Sequence, residues 1–384
     1  MKKLCLLFSI ILCMTAVNSN IYAFADTADD DNILTLEEAK ALALKNDVQF
    51  NLQQGYIQNA SENYEDVYES NSRSDSKDYS NVADRAKAEV SRKIAIENAA
   101  SSVRKAVFAR NNLKRESDYA VTSAYNGVIK AKLALEDAEQ DKVLSNTELE
   151  TAKIKYSLNL ITKKEFSAAE DAYQASIKAC DNAFTEVQKS MIQLSNSIGK
   201  TLDVFNDQID LNVSVPDIKS LDLNKIKEDY MKNNSSYFSA KESYDMAEYQ
   251  LQLTEDKFDY YYKRLPHRTT ALEDKLEDML ADAQREFNDA KYSYEQKEND
   301  LDATLSSQYI SINKSYDSYL DLLKDLEEEK QSLEESKIKN QMGLVKKAEL
   351  NAAEANIAKL ENKIQSSIAD LISEYVNMTQ YSID

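Results

Sequence analysis

The chain has 384 residues, with 67 acidic against 47 basic side chains, one histidine and a formal charge of -20. That acidity argues against binding nucleic acid or anionic lipid through a basic face. Only four glycines and two prolines interrupt a sequence dominated by Ala, Leu, Glu, Lys, Gln and Asp, which points to an all-α fold of long antiparallel coiled-coil helices.

Residues 1–25 read as a secretory signal peptide: Lys2 and Lys3, an apolar run from Leu4 to Ala16, and a small-residue site Ala23-Phe24-Ala25 before Asp26. No small residue stands directly before Cys13, which speaks against a lipid anchor. Export leaves 359 residues with a net charge of -22 and Cys180 as the single cysteine, so no intrachain disulfide can form. No later stretch approaches the roughly 18 to 20 consecutive apolar residues of a membrane-spanning helix.

The first predicted helix covers about Leu36 to Glu69, and the polar run SNSRSDSKDYSN from Ser70 to Asn81 reverses the chain. A second helix covers about Val82 to Tyr156, with Ala124, Val128, Ala131, Leu135 and Ala138 stepping by four and three, and Leu149, Ala152 and Tyr156 resuming that phase. After a tip turn near 157–162, a third helix runs from Thr162 to Ile198. Its apolar seam is Tyr173, Ile177, Cys180, Phe184, Val187, Met191, Leu194 and Ile198, the alternation of a coiled coil. At about 1.5 Å per residue the second helix reaches roughly 110 Å, and the first and third laid end to end nearly match it. The stretch 201–222 loses the heptads, and Pro216 forbids a helix interior there. It reads as a linker, with Val213 and Val215 alternating with polar neighbours as a short edge strand does.

Beyond the linker the pattern returns. KIKYSLNLITKKEFSAAEDA from Lys153 aligns without a gap on KIKNQMGLVKKAELNAAEA from Lys337, at an offset of 184. The same offset carries six seam positions to Ile357, Ile364, Ile368, Leu371, Tyr375 and Met378, while Ile177 meets Glu361. LEEAKALALKNDVQF from Leu36 aligns on LNKIKEDYMKNNSSY from Leu223 at an offset of 187, and Arg264-Leu265-Pro266-His267 marks the second reversal. The organisation expected is therefore a first helical repeat at 26–200, the linker at 201–222, and a second repeat at 223–384 with its tip turn near 341–346.

LTLEEAKALALKN at Leu34 to Asn46, AYNGVIKAKLALEDAE at Ala124 to Glu139, and the turns at Asn159-Leu160-Ile161-Thr162 and Gly343-Leu344-Val345 together resemble the TolC-type outer-membrane efflux proteins. The resemblance covers nearly all of the chain beyond residue 25. It implies a homotrimer whose helices form a hollow barrel, with helix-turn-helix tips meeting a membrane-fusion-type adaptor and a transporter. It also implies membrane strands between the first and second helix of each repeat. A membrane strand needs about 9 to 11 alternating residues, and neither Ser70 to Asn81 nor the stretch around Pro266 offers a pair of them. The expectation is an exported, cell-envelope relative without self-contained membrane insertion: a passive conduit or spacer of an efflux or secretion assembly. It would sit in the periplasm, beside an outer membrane, or on the extracytoplasmic face of a cell lacking one. The alternative is a structural or adhesive coiled-coil rod with no transport role.

The resemblance puts partner docking on the tips, at Asn159, Leu160 and Ile161 and at Gly343, Leu344 and Val345. A glycine or asparagine there suits a left-handed helix end. The apolar residues either present a contact surface or pack on their own hairpin. Glu165 and Glu349 stand where the family often places carboxylates facing the tunnel entrance, as a tip charge ring. Glu165 also closes a capping box with Thr162, whereas Lys346 replaces the threonine before Glu349 and Ala352 takes the second carboxylate position. The pairs Lys163-Lys164 and Lys346-Lys347 read as solvated surface, Cys180 as a small core hydrophobe, His267 as a loop residue and most of the 23 tyrosines as packing residues. No nucleophile paired with a base, phosphate-cradling loop or metal-ligand cluster is present, so the sequence indicates no enzyme, no cofactor and no metal site.

Overall fold

Helices with firm starts account for almost all of the structure, a computed structural model that describes residues 33–72, 81–204, 207–263, 270–344 and 346–382. In chain order these are β1 (Ile33–Leu34), α1 (Leu36–Asn46), α2 (Val48–Ser72), α3 (Val82–Ser157), α4 (Lys163–Ile198), β2 (Gln208–Ile209), a 3-10 turn (Ile218–Ser220), α5 (Leu223–Asn233), α6 (Ser235–Tyr262), α7 (Thr270–Gln341) and α8 (Lys347–Thr379). The unit from Leu34 to Asp384 holds the fold. The expected leader, residues 73–80 of the first reversal, Arg264 to His267 of the second, and Val345 lie outside the described residues.

Capping side chains set most of the helix starts. Thr35 and Glu38 form a capping box before α1, the Asn81 side chain accepts from the Asp84 amide before α3 at 2.9 Å, and Asp222 accepts from the Asn224 and Lys225 amides before α5. From Val82 the chain runs helical for 76 residues, about 114 Å, and α7 for 72.

The first predicted helix is in fact two. Asp47 leaves helical geometry, and its carboxylate accepts from the Gln49 and Phe50 amides at 2.8 and 3.1 Å, starting α2 afresh. Asn234, 187 residues later, does the same for α6 through the Tyr237 amide at 2.9 Å. Beside each break an asparagine fastens the joint. Asn46 donates to the Ile198 and Gly199 carbonyls at 2.9 and 3.3 Å, and Asn233 to the Tyr381 carbonyl at 2.8 Å. The strand also lies elsewhere than expected: pairing falls on β1 and β2, with the Asp210 amide donating to the Leu34 carbonyl at 3.2 Å, and not on Val213 and Val215. Tyr125 supplies the reason. Its buried hydroxyl reaches the Leu34 and Asp210 carbonyls at 2.8 and 3.0 Å, drawing those two segments together. Burial pushes that hydroxyl far above its ordinary pKa, so it is a fixed donor.

The stacked α1 and α2 lie along α3, whose hairpin partner is α4; α5 and α6 relate to α7 and α8 in the same way. The largest core cluster gathers Ala39, Ala43, Val121, Tyr125, Val128, Ile129, Val187, Met191, Leu194 and Ile198, where α1 covers the α3–α4 pair. A second holds Ile226, Leu301, Leu305, Ile312, Leu371 and Met378. Outside the cover of α1 the seam loosens: Tyr173, Ile177, Cys180 and Phe184 are only half-buried, so Cys180 is not a core residue. Buried positions correspond across the chain at the offset of 184, as Ala99 with Ala283, Val121 with Leu305, Val128 with Ile312, Leu149 with Leu333 and Val187 with Leu371.

The long helix α3 also packs on α6 and α8, where polar contacts join apolar ones such as Phe108 stacked on Phe238 at 4.1 Å. Arg104 forks onto Glu242 (Nε to Oε1 3.0 Å, Nη2 to Oε2 2.9 Å) and reaches Glu97, while Ser101 donates to Glu242 at 2.6 Å. Burial raises the Glu242 pKa, but the Arg104 and Ser101 donors outweigh it and hold the carboxyl below its ordinary range. Nearer the reversals, Glu89 accepts from Lys257, from the Tyr261 hydroxyl at 3.0 Å and from Arg85 at 3.3 Å. Toward the tips Asn126 donates to the Ala369 carbonyl and Ser373, Lys130 pairs with Asp370 at 2.6 Å, Asn362 donates to Asp137 at 2.9 Å, and Lys359 pairs with Asp141.

Candidate partner-docking tips

Both hairpin ends close through the same hydrogen bonds. At the end of α3 the Asn159 amide donates to the Tyr156 carbonyl at 2.9 Å and the Leu160 amide to Lys155 at 2.8 Å; at the end of α7 Gly343 donates to Asn340 and Leu344 to Lys339, each at 2.9 Å. This doubly bonded closure needs a left-handed residue, and Asn159 (φ 55°) and Gly343 (φ 73°) supply it. A Cβ on Gly343 would meet nothing within 4 Å, so only the backbone conformation asks for glycine there.

The closure does not bury the apolar residues it carries. Leu160 is 68% exposed and Leu344 72%, so neither packs on its own hairpin; Ile161 is half-buried. Sequence reading missed that the exposed surface extends back up each helix, through Ile154 and Leu158 at the first tip and Ile338 and Met342 at the second. These pairs also stand 184 residues apart, and apolar residues crowded against a turn were the available signal. The two tips differ on their other side: Tyr156 stacks on Phe166 at 5.0 Å in the first, where the second has Asn340 and Leu350.

The capping box forms at Glu165. Its carboxylate accepts from the Thr162 amide at 2.7 Å and hydroxyl at 2.9 Å, and its own amide donates to the Thr162 hydroxyl at 3.2 Å. Those donors hold its pKa below the ordinary carboxylate range. Glu349 has no such engagement: Lys346 takes the cap position without a side-chain bond, and Glu349 lies exposed in the first turn of α8, where the helix dipole favours a negative charge. The structure thus brings Asn159, Leu160 and Ile161 together at one tip and Gly343 and Leu344 at the other. Among the described residues no cluster of metal-ligating side chains occurs, and no helix is long and apolar enough to cross a membrane.

The arrangement of long paired helices with stacked short partners matches in fold the helical part of TolC-type outer-membrane channels. Particular solved structures share it. VceC, an outer membrane protein of Vibrio cholerae, superimposes with a TM-score of 0.60 at 13% identity over 90% of this chain and 94% of VceC. The CmeC outer membrane channel of Campylobacter jejuni gives 0.62 at 11% identity over 91% of this chain and 86% of CmeC. The MtrE outer membrane channel of Neisseria gonorrhoeae, in its open state, gives 0.53 at 13% identity over 90% and 88%. No family model and no curated protein matches the sequence. At these identities the likeness is one of fold.

Proposed function

We propose that the protein is a passive conduit or spacer of an envelope efflux or secretion assembly, built from two tandem copies of one helical unit and working as a homotrimer. The observation that carries this is the pair of tips, closed by equivalent hydrogen bonds at the ends of rods about 110 Å long and each presenting an exposed leucine. Exposed apolar residues at a rigid turn suit capture of an adaptor of the membrane-fusion type, with a transporter behind it supplying energy. On this reading residues 1–25 direct export to the cell envelope and the conduit works without a lipid-embedded barrel of its own, in keeping with the two-residue strands β1 and β2 among the described residues. No catalysis is assigned to it.

Serine at both Leu160 and Leu344 is expected to abolish co-purification with the cognate adaptor while helicity by circular dichroism stays unchanged. A loss of helicity would show the tips to be structural only. Replacing Leu344 and Val345 together tests the second tip alone. Light scattering on the exported protein decides between conduit and rod: a strictly monomeric particle leaves no tube, and a structural or adhesive rod becomes the better account. A preparation that stays insoluble until the membranes are dissolved would overturn the barrel-free reading.

A further inference from the structure

The joints at Asp47 and Asn234 are built alike but filled differently. Beside the first, among α1, α3 and the end of α4, lies a cavity of about 390 Å³ whose walls include Ala43, Asp47, Glu116, Ser117, Asn196 and Ser197. Beside the second, the corresponding places hold rings. Tyr230 stands 187 residues after Ala43 and Tyr381 stands 184 after Ser197, and the two rings meet edge to face with centroids 4.3 Å apart. Tyr381 also touches the counterparts of the cavity wall: its hydroxyl accepts from the Asn234 amide at 3.2 Å and its carbonyl from Asn233 at 2.8 Å, and these asparagines stand for Asp47 and Asn46. What the second repeat fills with its own side chains, the first leaves open at Ala43 and Ser197.

We propose that this cavity binds a small aromatic amine carrying one positive charge, its ring taking the place of the tyrosines and its ammonium meeting Asp47 and Glu116. The exchange of Asn234 for Asp47 decides the polarity. Asn234 donates to the Tyr381 hydroxyl through its amide nitrogen, whereas a carboxylate only accepts, so the group that faces Asp47 has to be a donor. Asp47 caps α2 with Oδ1 alone, and Glu116 takes the Asn112 amide on Oε1 at 2.5 Å, which leaves Oδ2 of the one and Oε2 of the other open. Asn112 is itself only 8% exposed, and its Oδ1 has no hydrogen-bond partner, a further acceptor one turn from Glu116. Among the described residues no lysine or arginine lines the cavity, and neither carboxylate is in an ion pair. Two uncompensated carboxylates around a space whose twin holds phenol rings select a cation with a flat apolar body and reject an anion. Occupancy ties the joint to α3 and to the end of α4, as Tyr381 ties the second joint, and so braces the splice that Asn46 holds. The site lies within one chain and stands apart from the conduit proposed above.

The experiment is isothermal titration of the full exported chain with tyramine, a phenol ring bearing an aminoethyl chain, and with p-cresol, the same ring without the charge. Tyramine should saturate one site per chain, with p-cresol weaker by about tenfold or more. Ser197→Tyr, which copies Tyr381, should fill the cavity and weaken tyramine by about tenfold or more, and tyramine should raise the Tm of the native chain but not of this variant. Asp47→Asn keeps a cap of the kind Asn234 provides and should weaken tyramine about tenfold while leaving p-cresol within about twofold. Should circular dichroism show Ser197→Tyr unfolded, Asp47→Asn and the p-cresol comparison decide the matter alone. The proposal is overturned by a native chain that takes up no tyramine, by p-cresol binding as tightly as tyramine, or by full tyramine affinity in either folded variant. A chain that proves monomeric, and so is no conduit, should bind tyramine all the same.

Discussion

At the scale of single residues, the side chains that matter most bond to backbone or to a charge on another helix. Asn46 and Asn233 close the carbonyl ends of helices about 150 residues away in sequence. Alanine at either should cost about 1–2 kcal/mol, seen as a drop of a few degrees in Tm, because it leaves part-buried carbonyls without a donor. Gly343→Ala should cost about 1 kcal/mol through backbone strain alone, since its surroundings have room for the methyl group. Glu242 and Glu89 make stability depend on pH. Each has its folded pKa held below the ordinary value by basic and hydroxyl donors, against the opposing push of burial. Their contribution is therefore complete above the ordinary glutamate value of about 4.3 and is lost as the pH falls through the depressed folded one. Thermal melts from pH 7 down should show that loss, and Glu242→Gln should flatten it while lowering Tm at pH 7, because Arg104 then faces no carboxylate at that position.

At the scale of elements, the two tips carry a built-in control. Thr162 and Glu165 cap α4, while α8 begins at Lys346 with no side-chain bond. Thr162→Ala should fray the first turn of α4 by about 1 kcal/mol, read as faster amide exchange at Glu165 and Phe166. Lys346→Thr restores the partner for Glu349 and should slow exchange at the start of α8 by a comparable margin. Helix identity and the seams were legible in the sequence because a heptad repeat is a local property: α3 spans Val82 to Ser157 and the third helix begins at its Thr162 cap, as the pattern indicates. The split at Asp47 was not legible. An Asp-Val pair inside an alanine- and leucine-rich run looks helical until its carboxylate is seen to accept from Gln49 and Phe50. The strand was misplaced for a related reason: Tyr125, 85 residues from Asp210, decides where β2 pairs. At the tips, spacing gave the left-handed positions, but the exposure of Ile154, Leu158, Ile338 and Met342 needed the neighbouring helices in place.

At the scale of the whole molecule, the α3 contacts with α6 and α8 hold the halves together without help from the chain between them. Arg104 with Glu242, Glu89 with Lys257 and Lys130 with Asp370 all cross that boundary. A protease site inserted after Asn212 and cut should therefore leave two fragments that co-elute at the native size and melt in one transition; separate elution would place the binding in the linker. These ionic contacts were invisible in the sequence, because nothing along the chain says which face of an evenly charged helix meets which other.

The breaks at Asp47 and Asn234 both fall beside unbroken lengths of α3 and α7. A carpenter lengthens a beam in this way, setting each scarf joint against continuous timber so that no section is cut right through. Load along the rod is carried past each joint by the intact member, while slight flexing is taken up at the two splices, whose asparagine pegs hold the ends in line.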